Sequence, residues 1–255
     1  MSAESEIKIR MRLKNNQQIL EYREHTVESG ISVPLLHFKL LEEIEGIQHC
    51  FTTRAGGVSE NEFSTMNFTT TRGDKEEAVL ENYRRMAKIF GVETKQFVGT
   101  DQTHTTNVRK VTKEDAGKGI VFPRDYKDID GLITNEPGLV LSTFYADCVP
   151  LYFVDPVNKA IGLSHSGWRG TVQKMGQVTI EAMQRAYGSR PEELYCAIGP
   201  SICQDCYEVS RDVAESFMEA FKGHEDEILW QKSEEKFQLD LWKANEIVML
   251  EAGIL

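Results

Sequence analysis

Tyr145-Ala146-Asp147-Cys148-Val149-Pro150-Leu151-Tyr152-Phe153-Val154-Asp155-Pro156-Val157-Asn158-Lys159-Ala160-Ile161-Gly162-Leu163-Ser164-His165 is two apolar runs separated by Asp155-Pro156-Val157-Asn158. Asp at the first corner and Pro at the second suit a type I turn, so the stretch predicts an antiparallel hairpin. Closure about Pro156 and Val157 sets Cys148 opposite His165. Opposed residues have Cα atoms roughly 4.5–5.5 Å apart on one face, near enough for a shared metal or a thiol–imidazole hydrogen bond. A slip of one residue separates the two side chains onto opposite faces. A free cysteine acting as a small apolar filler accounts for Cys148 equally well at this point. Asp147 reads as an acid inside an otherwise apolar strand, a position that calls for a partner.

Further β-rich runs flank the hairpin: Ile47 to Thr53, Asn107 to Val111, Asp130 to Thr134, Leu139 to Asp147 and Leu194 to Gly199. Helices are predicted by apolar stripes and caps. Asp74 with Glu77 has capping-box spacing, Val79, Tyr83, Met86, Ala87 and Phe90 form one stripe, and Gly91 follows as a C-terminal cap. Val172 to Met183 repeats the pattern up to Gly188, Ser210 to Phe221 repeats it before Gly223, and another helix follows Asp240. Strands outnumber helices and several are joined by turn-length connections. The expectation is an α+β fold with a mixed, largely antiparallel sheet or sandwich and helices packed outside. Without repeats or a long linker, residues 1–255 read as a single catalytic domain with a loosely attached stretch over residues 1–30.

The 255 residues carry 29 Lys and Arg against 40 Asp and Glu, a net charge of −11. A field of that sign repels phosphate at long range, which disfavours nucleic acid and anionic membrane as partners and favours small molecules. The charged segment Met1 to Arg12 holds no apolar signal core, and the five cysteines Cys50, Cys148, Cys196, Cys203 and Cys206 are odd in number and irregularly spaced. Free thiols in a reducing cytoplasm fit that pattern better than a disulfide framework. Cys203-Gln204-Asp205-Cys206 lacks a second cysteine pair and reads as packing. His25, His37, His49 and His224 show no partner pattern and read as surface or structural.

Ser166-Gly167-Trp168-Arg169-Gly170-Thr171 is a strand-to-helix turn in which Gly167 and Gly170 permit close backbone approach beside Arg169. Such parts suit an anion, although a tight turn with a solvated Arg169 uses the same residues. The same two readings apply to Arg54 in the Gly-rich turn Thr52 to Ser59.

Six ordered segments together carry a family resemblance: Thr53-Arg54-Ala55-Gly56-Gly57-Val58-Ser59, Gln102-Thr103-His104, Asp130-Gly131-Leu132-Ile133-Thr134, Ala146-Asp147-Cys148-Val149-Pro150, His165-Ser166-Gly167-Trp168-Arg169-Gly170-Thr171, and Ile198-Gly199-Pro200 through Tyr207-Glu208-Val209. Over about residues 45 to 250 the chain resembles the bacterial family long labelled multicopper polyphenol oxidoreductase, or laccase-like, and now assigned as purine nucleoside phosphorylases with adenosine deaminase activity. The resemblance implies a fold like that of Cys–His deamidating hydrolases. It also implies three metal ligands, His104, Cys148 and His165, holding zinc, with copper an alternative that ligand type does not separate. For that chemistry Cys148, His165 and, beside the ligand in sequence, Asp147 are the catalytic candidates; Arg54, Arg169 and Gly170 at the helix start suit phosphate, and the resemblance alone adds Tyr207 to the substrate-binding residues. Purine nucleosides (adenosine, inosine, guanosine and methylthioadenosine) and phosphate are the implied substrates. Oxidation of polyphenols, amide hydrolysis through the metal or a Cys148–His165 dyad, and a non-enzymatic zinc-braced scaffold stay open. The family continues past the helix after Asp240, so a further C-terminal segment is expected to be missing. Oligomeric state is not readable.

Overall fold

The computed structural model describes residues 17–27 and 30–255, and the chain divides into two compact units, Met1–Val92 and Glu93–Leu255. In the first unit, β1 (Leu20–Val27) and β2 (Ile31–Phe38) pair antiparallel along their length, from Leu20 opposite Phe38 to Val27 opposite Ile31. Thus Leu20–Val27, within the stretch read as loosely attached, is a fully paired strand. Residues 1–16 and 28–29 lie outside the described residues. After α1 (Lys39–Glu42), β3 (Phe51–Thr52) completes the sheet on β2, and α2 (Glu76–Phe90) buries Val79, Tyr83, Met86 and Ala87. Helix α2 begins one residue later than predicted. The Asp74 carboxylate accepts from the N–H of Lys75, the actual cap, and the capping box does not form. Gly91, at φ 67°, ends the helix as expected.

The second unit carries the predicted hairpin. Its strands are β4 (Phe97–Gly99), β5 (Val108–Lys110), β6 (Gly131–Thr134), β7 (Val140–Ser142), β8 (Val149–Asp155) and β9 (Ala160–Ser166), followed by α3 (Trp168–Val172), α4 (Met175–Tyr187) and β10 (Tyr195–Ile198). The principal sheet runs β10-β8-β9-β6-β5, antiparallel except for the parallel β5–β6 pair, while β4 and β7 pair in parallel apart from it. Strand β8 is buried at every position because both faces are covered, which is why it reads as a continuous apolar run. Alternation along β6 separates two cores. Ile133 packs with Leu151, Phe153, Ile180 and Met183, whereas Leu132 packs with Val98, Val111 and Leu141. Truncating a fully buried leucine such as Leu151 to alanine costs about 2–5 kcal/mol.

One helix expected from Val172 to Met183 is two, broken at Lys174, whose φ of 60° is left-handed. The chain closes with β11 (Glu208–Ser210), α5 (Arg211–Ala220), α6 (Glu225–Ile228), β12 (Leu229–Gln231), β13 (Lys236–Leu239) and α7 (Leu241–Glu251). Strands β11, β13 and β12 form their own small antiparallel sheet. Asp240 caps α7 by accepting from the N–H of Lys243. The architecture is α+β with mixed, largely antiparallel sheets, as the sequence led us to expect. Among the described residues no helix is long and apolar enough to cross a membrane.

Candidate metal centre

The hairpin closes two residues away from the predicted register. Pro150, not Cys148, stands opposite His165, and the last pair is Val149 with Ser166. The turn takes four residues because the Asp155 carboxylate accepts from the N–H groups of Val157 and Asn158, both at 2.9 Å, and Lys159 turns through a φ of 52°. A shift of two preserves the face on which each side chain lies. Cys148 therefore still reaches His165, and its nearest backbone across the hairpin is Gly167. A Cβ on Gly167 would stand 2.9 Å from the Cys148 Sγ and 3.0 Å from the His104 ring, so this turn has no room for a side chain.

His104 arrives from the loop between β4 and β5, held at a φ of 66°. The ligand atoms of His104, Cys148 and His165 all lie within 4.8 Å of one another, with the Sγ 3.9 Å from the His104 Nε2. His104 is exposed, Cys148 half-buried and His165 buried, so the cluster is closed behind and open in front. The two imidazoles meet edge to face, 5.0 Å between centroids.

Asp130, at the head of β6, holds the ring of His165 and the backbone of His104. Its Oδ1 bonds to the His165 Nδ1 at 2.8 Å and accepts from the His104 N–H at 3.1 Å. The Oδ2 accepts from the N–H groups of Thr103 and Thr105 and from the Thr105 hydroxyl, and the Asp130 carbonyl accepts from the His165 N–H. Burial alone would raise the carboxyl pKa, but these donors outweigh it and hold Asp130 ionised, below its usual value. Burial likewise opposes charge on His165, yet the hydrogen bonds to Asp130 and Cys148 overcome it and push the imidazole up to about 9. With Nδ1 engaged by the carboxylate, Nε2 is the nitrogen left for a ligand, the usual carboxylate–histidine arrangement behind a metal. The quoted Asp130-Gly131-Leu132-Ile133-Thr134 segment contained this residue, but an acid heading a buried strand was the signal, and it was not drawn as part of the site.

Two imidazoles and a thiol converging on one open-fronted point fit a transition metal chemically. Three protein ligands with a free position is the pattern of a catalytic zinc site, and the same donors accept copper. Beneath the site Ser166, Thr171 and Asn245 of α7 form a closed, buried hydrogen-bond network that holds the Gly167 carbonyl through the Thr171 hydroxyl.

Asp147 is not inside a strand. It is exposed in the bend before β8, where water solvates the carboxylate and no buried partner is needed, and its backbone carbonyl accepts from the Ile202 N–H. Tyr207 is pushed up to about 12, chiefly by burial and further by the charges of Cys148 and Asp147, while Arg169 works in the opposite direction. Cys148, Asp147 and Arg169 thus all lie within electrostatic range of the Tyr207 phenol. The Arg169 guanidinium is exposed and lies 4.2 Å from the Trp168 ring centroid, and Gly170 is buried within α3. In the first unit, Arg54 bonds through Nε and one Nη to the carbonyls of Ser64 and Glu62, bracing the loop it spans. Cys203 caps and Cys206 ends a short 3₁₀ turn, and none of the five cysteines is joined in a disulfide.

A family model described as multi-copper polyphenol oxidoreductase laccase matches residues 48–255. The purine nucleoside phosphorylase YlmD of Bacillus subtilis is 37% identical over 208 residues, covering 80% of this chain and 73% of its own. A protein named adenosine deaminase RL5, from an unknown prokaryotic organism, is 32% identical over 84% of this chain and 81% of its own length. The crystal structure of the Bacillus licheniformis hypothetical protein YfiH superposes with a TM-score of 0.82 at 33% identity, covering 92% of this chain and 85% of the other. With the fold, the ordered motifs and the cluster all in agreement, the chain belongs to the family described as multi-copper polyphenol oxidoreductase laccase.

Proposed function

We propose that this chain is a zinc-dependent purine nucleoside enzyme of the cytoplasm. It cleaves adenosine, inosine, guanosine and methylthioadenosine with phosphate, and it also deaminates adenosine. The observation that carries the reading is the open-fronted His104–Cys148–His165 cluster in a chain whose relatives are named purine nucleoside phosphorylase and adenosine deaminase. Zinc, when bound, supplies a Lewis acid and lowers the pKa of the water it carries toward neutrality.

In phosphorolysis a phosphate oxygen bonds to the ribose anomeric carbon, the carbon–nitrogen bond to the base breaks, and its electron pair leaves with the purine, which takes a proton. Arg169, exposed beside the cluster, is the cation suited to place the phosphate by paired N–H donors. In deamination water adds at the purine carbon bearing the amino group, and ammonia leaves with a proton. Asp147, exposed beside Cys148, is the carboxyl group available to carry that proton. Tyr207 keeps its phenol proton well above neutral pH and offers a hydrogen-bond donor to the substrate. Arg54 contributes by bracing its Gly-rich loop. A Cys148–His165 nucleophilic dyad leaves His104 without a part, which favours ligation over amide hydrolysis.

Chromatography of products from adenosine, with and without phosphate, tests the reading. The expected result is adenine only when phosphate is present and inosine in both cases. Arg169→Ala is expected to keep its metal and to lose adenine formation about tenfold or more while inosine formation falls less. Absence of both products from zinc-loaded protein, or oxidation of a phenol by copper-loaded protein in their place, overturns it.

A further inference from the structure

Three histidines in the first unit have no part in the chemistry above. His25 lies on β1, His37 on β2 and His49 just before β3. His25 stands opposite Val33 and His37 opposite Glu21, so only side chains reaching along the hairpin bring the two Nε2 atoms together, at 3.0 Å. The ring centroids are 5.1 Å apart and tilted by 40°. On its other nitrogen, His37 faces the Glu42 carboxylate, Nδ1 to Oε1 at 3.4 Å. A proton held there leaves the His37 Nε2 with a lone pair directed at His25.

We propose that His25 and His37 form a second transition-metal site, a cis pair of imidazole ligands for divalent nickel or copper. The separation favours those ions. Two metal–nitrogen bonds of about 2.0–2.1 Å spanning 3.0 Å enclose roughly 95°, close to the right angle of tetragonal nickel or copper and narrower than a tetrahedral angle. Glu42 behind His37 repeats the carboxylate–imidazole pairing that orients ligands at metal sites. Burial holds both imidazoles below their usual pKa, in the neutral form that ligation needs. The nearby Arg23 guanidinium is already paired with Glu21 and Glu42, so its charge is offset. His49 stands outside the ligand set because its Nε2 accepts from the Phe38 N–H at 2.7 Å. His25 is only half-buried, which leaves the outer positions to water.

A proton shared between the rings fills the same gap, and the experiment must separate it from a metal. Nickel(II) is the probe, since it does not oxidise the free thiols. Titration of the full chain is expected to give two equivalents bound, with His25→Ala retaining one and losing the other at least tenfold in affinity. Cys148→Ala should lose the other equivalent instead. Thermal stability should rise with nickel in Cys148→Ala and not in the double variant that also carries His25→Ala. Should His25→Ala fail to fold, histidine side-chain NMR of the unaltered protein decides the matter, with nickel broadening the His25 and His37 resonances. Equal stoichiometry in the parent and His25→Ala, or sharp His25 and His37 resonances while His104 and His165 broaden, overturns the proposal and leaves the pair as a hydrogen bond.

Discussion

The chain gathers imidazoles twice, and the two gatherings are built differently. In the second unit His104, Cys148 and His165 come from three separate segments, and Asp130 binds both the ring of one histidine and the backbone of the other. In the first unit His25 and His37 come from one hairpin, with Glu42 behind only one ring and no thiol in the group. A ligand cluster gains strength from a third donor of opposite charge and from a scaffold that fixes each donor before the metal arrives. The sheet-borne cluster has both, and the hairpin pair has only part of the second.

The comparison breaks first at the thiol. A structural zinc binds with about 10–16 kcal/mol over four ligands, so one ligand is worth about 2.5–4 kcal/mol, on the order of 10²–10³ in affinity. Cys148→Ala is expected to lose metal affinity by that factor and both activities with it. Isothermal titration reads the loss. Parental affinity in Cys148→Ala removes the thiol from the site altogether.

Next in size is the scaffold. Asp130→Asn keeps the shape but sets an amide N–H against donors now satisfied by a carboxylate, and it releases the His165 tautomer. Loss of metal affinity of about 10–100-fold is expected, with the circular dichroism spectrum retained. An unchanged affinity would mean that the histidines are held by their strands alone.

A smaller effect tests fit. Gly167 has a φ of −74°, open to any residue, so Gly167→Ala tests only the contacts of the added methyl with the Cys148 Sγ and the His104 ring. Overpacking of about 1 kcal/mol should lower metal affinity about fivefold, measured by competition with a chelator.

The last test is the pH dependence of the metal-free protein, in which no metal is at stake. His165 sits at about 9 in the fold against about 6.5 when unfolded. Its pairing therefore stabilises fully below about 6.5, and the contribution is lost as pH rises through 9. Asp130 is shifted down, so its contribution is present above about 4 and is lost as pH falls through its lowered value. Thermal melts after chelation should show the pair contributing most between about pH 4 and 6.5, with Asp130→Asn flattening that profile. Metal uptake at neutral pH should release at least the His165 proton, which a weakly buffered titration detects.

Much of this was legible in the chain. The apolar run before Asp155-Pro156 announced a strand, and β8 forms there over Val149–Asp155, buried at every position. Gly91 announced a helix end, and alternation put Cys148 and His165 on one face even though the register came out two residues away. The miss was local in origin. The Asp155 carboxylate chooses a four-residue turn by binding two N–H groups within the loop, and a turn template based on proline position does not weigh that bond. Among the unread strands, β1, β11, β12 and β13 are largely polar and half-exposed, which leaves little hydrophobic contrast for a period of two, whereas β2 is apolar but carries Pro34 and β4 is only three residues long.

Local chemistry in the sequence thus marked many of the segments that become helix or strand, and motif order marked the family and the three side chains that cluster, His104, Cys148 and His165. Tertiary structure alone decided the rest: that Asp130 holds His104 and His165 together, that Gly167 must lack a side chain, and that His25 meets His37. The physical reason is the range of the forces involved. Periodicity and capping act between residues a few positions apart, whereas these contacts join atoms 12 to 35 positions apart along the chain or from different loops. Only the packed sheets bring such atoms within bonding distance.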